Sequence, residues 1–186
     1  AATIAEGEVL QLTAAQDLRT DDSIYLQVVR GKTAALFSAA TEVGGVIARA
    51  EESQVQALYA YGDALGIAFQ IADDLLDYQG VSSATGKKVG DDFRERKLTL
   101  PVIKAVAAAD ETERAFWQRT IEKGRQEDGD LDHALALLKK HGALEATRDE
   151  ALLWAGRAKE SMATLPPSEM RDVLIDLADF VVSRLY

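Results

Sequence analysis

Residues 56–78 read QALYAYGDALGIAFQIADDLLDY. Wound into a helix, Leu65, Ile67, Ala68, Phe69, Ile71, Ala72, Leu75, Leu76 and Tyr78 point in nearly every direction, and a helix that is apolar on nearly every side is buried. The direction left polar belongs to Asp73, Asp74 and Asp77. Asp73 and Asp77 stand four apart, one turn above the other, and Asp74 lies about 100° round from Asp73. On an arbitrary helix three aspartates mark a solvated face; on this one they must face a cavity. Crowding like charges in a partly dry cavity costs several kcal/mol per ion, on the order of the penalty for a buried charge, unless cations compensate. Residues 54–79 contain no Lys or Arg, so the compensation comes from elsewhere. A hard, oxygen-seeking ion such as Mg²⁺ fits, because it takes one or two carboxylates and completes its shell with water and phosphate oxygens. The stretch therefore predicts a phosphate-bearing ligand.

Basic residues flank that helix in sequence. Lys32 precedes Thr33 on one side; Lys87, Lys88, Arg94, Arg96 and Lys97 follow in a polar stretch, residues 82–97, that can fold back over the aspartates. Taken singly, Lys32 marks a solvent-facing helix end as readily as a ligand contact, and the glycines and charges of residues 85–92 suit any surface loop. No G-x-x-x-x-G-K-[ST] loop and no G-x-G-x-x-G after a strand is present, so a nucleotide-binding fold is not indicated.

The rest of the chain is written in the same helical vocabulary. Ala, Leu, Glu, Lys, Arg and Gln dominate, three prolines interrupt, and no alternating β-branched run is long enough for a strand. Ile4, Val9, Leu12, Ala15 and Leu18 predict a first amphipathic helix, ended and recapped by Thr20-Asp21-Asp22-Ser23. Residues 24–49 predict a second helix whose centre, TAALFSAATEVGGVIA, is apolar or small on every side and so is expected to be buried all round. The central helix ends near Gly80. Residues 99–109 form a short helix with Pro101 in its first turn; Asp110 with Glu113 forms a capping box for a helix to about Gln126. Residues 130–141, 143–165 and 168–186 complete the set. The expected class is all-α, one domain over residues 1–186. His133 and His141 read as surface residues, and Trp117, Trp154 and Tyr186 as packing residues.

Composition narrows the chemistry. With 31 Asp and Glu against 21 Lys and Arg in 186 residues, the formal charge is −10. Binding to a nucleic-acid backbone or to anionic lipid needs clustered positive charge and is disfavoured. The absence of cysteine excludes a disulfide scaffold, a thiol nucleophile and a thiolate zinc site. The start AATIAEGEVLQL has no basic segment typical of a signal peptide, and residues 33–48 are too short and carry Glu42, so no membrane span is expected. The expected setting is cytoplasmic. The first residue is not Met, so the sequence reads as a fragment, a processed product or only the ordered part of something longer.

At these residues the sequence resembles the trans-polyprenyl diphosphate synthases, specifically the C-terminal portion of long-chain members of the octaprenyl, solanesyl and decaprenyl type. Residues 66–77, GIAFQIADDLLD, resemble the family's second aspartate-rich motif. Lys32-Thr33 followed by Ala34-Ala35-Leu36-Phe37 resembles its Lys-Thr motif, and Gly86-Lys87 through Gly90-Asp91-Asp92 to Lys97-Leu98-Thr99-Leu100-Pro101 resembles the loop that follows. Residues 4–12, IAEGEVLQL, are similar to the helix before the Lys-Thr motif.

The resemblance implies an antiparallel bundle of the isoprenoid synthase type, here without its N-terminal helices, around an apolar cavity. There an allylic diphosphate ionises and isopentenyl diphosphate adds head to tail to build an all-trans chain. Carried over by position, Asp73, Asp74 and Asp77 would hold Mg²⁺; Lys32, Lys87 and Lys97 would grip diphosphate; Lys32, Thr33, Phe69 and Gln70 would face the substrate, with backbone carbonyls, the Thr33 hydroxyl and the Gln70 amide oxygen against the allylic cation. A homodimer is implied by the same likeness. Two departures stand out. The family's first aspartate-rich motif has no counterpart here, so the 186 residues by themselves are expected to be inactive, and Arg96 occupies a place where many relatives carry Gly. The alternative reading is a non-catalytic helical subunit that partners a complete synthase; a terpene cyclase fits less well because of the Lys-Thr motif and the loop of residues 86–101.

Overall fold

Helix α4 (Glu52–Gln79) is the axis of the molecule, because its apolar run has to be covered on all sides: Tyr61, Ile67, Ala68, Ile71 and Leu75 have no exposed surface. The computed structural model describes residues 2–79 and 89–185, and among them every regular element is helical. Before α4 come α1 (Ala2–Ala14), α2 (Asp22–Val29), a π turn (Arg30–Ala34) and α3 (Ala35–Ile47). After it follow α5 (Asp91–Arg94), α6 (Leu100–Ala108), α7 (Glu111–Trp117) with a second π turn (Gln118–Glu122), α8 (Asp130–Lys140), α9 (Ala143–Ser161) and α10 (Glu169–Ser183). The expected polar loop thus contains a four-residue helix, α5, and the helix predicted to run to Gln126 gives way at the second π turn.

The boundaries are set where the capping residues stand. The Asp21 carboxylate accepts from the Ile24 N–H at the start of α2, the Ser168 hydroxyl from the Arg171 N–H at the start of α10, and Asp110 and Glu113 complete their reciprocal box on α7. Each such cap contributes about 1 kcal/mol.

Helix α3 runs antiparallel to α4 and lies against it closely. Ala34, Ser38 and Thr41 meet Gly66, Gly62 and Leu58 in turn; a Cβ on Gly66 would stand 2.6 Å from Ala34 Cα, and one on Gly62 would overlap Ser38 and Thr41. The Thr41 hydroxyl donates to the Leu58 carbonyl at 2.6 Å. The small residues of α3 therefore serve one tight seam. Burial all round, as expected from the sequence, does not hold: Ser38 and Gly45 are the buried residues of α3, while Leu36, Val43, Val46 and Ile47 are exposed. Likewise α1 docks by backbone approach rather than by an apolar face. Gly7 lies so close to Gly31 that a Cβ would stand 2.6 Å from the Gly31 carbonyl carbon, and Ile4, Val9 and Leu12 point outward.

On its other side α4 packs on α9 and α10, where the Tyr61 phenol donates to the Leu174 carbonyl at 2.7 Å. Trp117 and Trp154 are buried as expected, the latter with the Arg30 and Arg157 guanidinium groups over its ring; Tyr186 lies outside the described residues. His133 is exposed. His141 is not: it is half-buried and hydrogen-bonded to Glu113 at 2.8 Å, because the end of α8 tucks against the start of α7.

Candidate active site

The Lys-Thr pair sits on the π turn between α2 and α3. The Ala35 N–H reaches back five residues to the Arg30 carbonyl, which inserts one residue into the helix at Lys32-Thr33. Turns of this kind recur at functional sites because they re-aim side chains from a regular helix. Here Lys32 turns toward α1 and pairs with Glu8 at 3.0 Å and with the Gln11 amide oxygen. Thr33 turns the other way, toward α4, and its hydroxyl donates to Gln70 Oε1 at 2.9 Å.

From Gln70 the contacts run one turn along α4. Gln70 Nε2 donates to Asp74 Oδ1 at 2.8 Å, and the Tyr25 phenol, arriving from α2, donates to Asp74 Oδ2 at 2.6 Å. Both oxygens of Asp74, a buried residue, are thus engaged. A cavity of about 260 Å³ opens beside this belt, with Lys32, Thr33, Gln70, Asp73 and Asp74 in its wall. Its far side is α5 and the segment after it: Asp92 on α5 and Lys97 and Thr99 beyond it also line it, with Lys97 paired to Asp92 at 3.2 Å.

Two predicted residues stand elsewhere. Asp77 is absent from the cavity wall; its Oδ2 accepts the Asp92 N–H at 3.1 Å and its carbonyl the Gly90 N–H at 2.8 Å, so it clasps the returning chain. Phe69 is likewise turned away, with its ring 5.6 Å from that of Phe37 on α3. Lys87 and Lys88 lie outside the described residues. Gln70 joins the cavity, but its amide oxygen is turned to Thr33. Conversely, Tyr25, Gln11 and Asp92 belong to the wall without having been singled out. Asp92 follows Asp91 in a loop quoted for its likeness, whereas nothing near Tyr25 in the sequence signals a partner 49 residues away.

Arg96 adopts φ 59°, the left-handed conformation that glycine takes without strain. The Arg96 guanidinium lies over Gly124, where any Cβ would overlap it.

Electrostatics mark the cavity. Burial pushes the Asp74 carboxyl up to about 7, with the nearby Asp92 and Asp73 charges adding to it, although the Tyr25 and Gln70 hydrogen bonds oppose the rise. Burial and the Asp92 charge lift Asp77 to about 6. The Tyr25 phenol is driven well above its usual value by burial and by Asp74. Burial works against the Lys97 ammonium, but Glu95 and Asp92 hold it above its usual value. Among the described residues no group of three carboxylates or imidazoles closes on one point. The wall instead offers separate carboxylate oxygens whose negative charge is costly to bury. That donor set fits a hard divalent cation which takes one or two carboxylates and leaves the rest of its shell to water and phosphate.

A sequence model of the polyprenyl synthetase family matches residues 1–138. The octaprenyl diphosphate synthase of Haemophilus influenzae is 38% identical over 183 residues, which is 98% of this chain and 55% of that protein. Among solved structures, a decaprenyl diphosphate synthase from Rhodobacter capsulatus superposes with a TM-score of 0.94 at 69% identity, covering 100% of this chain and 57% of the other. A polyprenyl synthase from Caulobacter crescentus, complexed with calcium and isoprenyl diphosphate, superposes with a TM-score of 0.91 at 46% identity over 98% of this chain and 56% of its own. The chain spans about half the length of the curated relatives it matches. Among the described residues no helix is long and apolar enough to cross a membrane. With the helical bundle, the Lys-Thr turn and the acidic helix on the page, the chain belongs to the polyprenyl synthetase family.

Proposed function

We propose that this chain carries the second aspartate-rich motif and the Lys-Thr turn of a long-chain trans-polyprenyl diphosphate synthase, a cytoplasmic homodimer that condenses isopentenyl diphosphate head to tail onto an allylic diphosphate. One observation carries the reading: carboxylates of Asp73, Asp74 and Asp92 and ammonium groups of Lys32 and Lys97 line a single cavity. A wall with both signs suits a polyanion that arrives with a cation, and it favours catalysis over the non-catalytic subunit.

Asp73 and Asp74 would hold Mg²⁺, which when bound supplies positive charge to the departing diphosphate; Asp77, one turn on and outside the cavity wall, would have to turn from the Asp92 amide to join them. Lys32 and Lys97, and Lys87 beyond the described residues, bind diphosphate oxygens and stabilise the charge that grows on them as the allylic C–O bond breaks. Thr33 and Gln70 hold each other across the helix seam, and their oxygens would turn from that mutual hydrogen bond toward the electron-poor carbons. Enclosure of the reacting carbons would exclude water that captures the cation.

The test is turnover of the complete protein with farnesyl diphosphate, isopentenyl diphosphate and Mg²⁺, with products identified by mass spectrometry. A ladder or single long polyprenyl diphosphate is expected, and a complete protein that makes none refutes the proposal. The 186 residues alone, which carry one of the two aspartate-rich motifs, are expected to make none.

A further inference from the structure

Helix α5 is a single turn, Asp91–Arg94, too short to hold its own shape, so the turn that brings Asp92 and Lys97 into the cavity wall has to be fixed from outside. Its start is fixed from α4 by the two Asp77 hydrogen bonds. Its middle is fixed by the Phe93 ring, fully buried against Phe116 and Trp117 of α7. Its end meets the loop after the second π turn. There Gln126 Nε2 donates to the Phe93 carbonyl at 2.8 Å and to the Thr120 carbonyl at 3.3 Å. Carbonyls in the last turn of a helix have no partner inside it, and this one carboxamide joins two such ends, that of α5 and that of the stretch closing in the second π turn. Gly124, two residues earlier, lies under the Arg96 guanidinium.

Lys97 follows directly on the end so held. Its N–H donates to the Asp92 carbonyl at 2.9 Å and its ammonium pairs with the Asp92 carboxylate at 3.2 Å. Asp92 stands on the Asp77 side of Phe93 and Lys97 on the Gln126 side, so the two clasps act on different halves of the wall. We propose that Gln126 is a positioning residue for diphosphate binding: by holding the Phe93 carbonyl it sets the place from which the Lys97 ammonium meets a Mg²⁺-bound diphosphate. The inference rests on the reading of the cavity given above. Gln126 itself does not line the cavity, so its effect reaches the ligand through Lys97.

Isotherms for inorganic diphosphate in saturating Mg²⁺, measured by calorimetry on the complete protein with and without Lys97→Met, test it. Gln126→Met keeps the length of the side chain and deletes the donor. Its expected signature is diphosphate affinity weakened about three- to tenfold, the range for one hydrogen bond. Gln126→Glu, which sets a carboxylate against the same carbonyl, is expected to weaken binding further. In the Lys97→Met background, Gln126→Met is expected to change the affinity by less than about twofold, the margin within which an effect already lost reads as none. Gln126→Asn, the milder change, carries the same comparison if the Met variant melts below the assay temperature.

Wild-type affinity in Gln126→Met overturns the proposal, whatever its thermal midpoint, and leaves Gln126 as a structural link only. An equal loss with and without Lys97→Met overturns it too, since that is the mark of a general loosening. If the wild type itself fails to bind diphosphate with Mg²⁺, the reading of the cavity fails first, and this inference with it.

Discussion

The Tyr25 phenol on α2 donates to Asp74 Oδ2 on α4 at 2.6 Å, and the other oxygen of the same carboxylate is held by Gln70. Asp74 is therefore oriented from two helices at once, and Tyr25, together with the Thr33–Gln70 hydrogen bond, ties the segment bearing Lys32 and Thr33 to the acidic motif. Tyr25→Phe removes the Tyr25 bond while keeping the ring. Turnover in the complete protein is expected to fall by roughly tenfold or more, the range for losing a hydrogen bond to a charged group, and half-saturation by Mg²⁺ to move to higher concentration. Steady-state rates over a Mg²⁺ series measure both; an unchanged Mg²⁺ dependence counts against the link.

Asp73 lines the cavity and is half-buried. Asp73→Ala deletes a cation-holding oxygen and also relieves repulsion with Asp74. The expected result is turnover reduced by about 10²-fold or more, as for loss of a principal electrostatic contact, with circular dichroism and thermal midpoint close to wild type. Wild-type turnover would exclude Asp73 from the metal site.

Asp74 takes up its proton near pH 7 in the fold, against the ordinary value of 3.8. The folded protein binds this proton more tightly than the unfolded chain, so stability in EDTA is highest below about pH 4 for this group and is lost as pH rises through 7. Asp74→Asn is uncharged at every pH and can still accept from Gln70 and donate to the Tyr25 oxygen. Its midpoint in EDTA is expected to exceed wild type by about 3–6 °C at pH 8, the scale of one to two kcal/mol for a domain of this size, and to converge with it near pH 4. Equal midpoints at pH 8 would show that burial is not the cause.

At the acid end the relevant group is Glu113. The Lys140 ammonium first, then the Asp110 N–H and His141, hold its carboxyl at about 2 although burial opposes them. The fold gains stability from this group above its ordinary value of 4.5 and loses it as pH falls from there through 2. Glu113→Gln should lower the urea midpoint at pH 6 and flatten its decline below pH 4.5; an unchanged acid limb would remove Glu113 from the account.

The α3–α4 seam separates two glycines that look alike in sequence. A Cβ at Gly62 would overlap Ser38 and Thr41, whereas at Gly44 nothing lies within 4 Å. Gly62→Ala is expected to destabilise by about 1–3 kcal/mol through overpacking, and Gly44→Ala to stabilise by about 0.5–1 kcal/mol through helix propensity. Chemical denaturation of the two variants gives the comparison, and like signs would contradict the packing described.

Local pattern determined a good deal by itself. The buried axis α4, the caps at Asp21 and Asp110, the one polar direction holding the aspartates and the flanking lysines all follow from side-chain periodicity and from residue types with specific backbone roles, which act over one to four residues. Tertiary contact decided the rest. Tyr25 reaches Asp74, Asp77 turns to the Asp92 amide, Phe69 faces Phe37, and α3 buries one seam of small residues while its larger apolar side chains point outward. Those outcomes depend on how closely two backbones approach and at what register, a distance that glycines at 7, 31, 62 and 66 permit but that no spacing along the chain encodes.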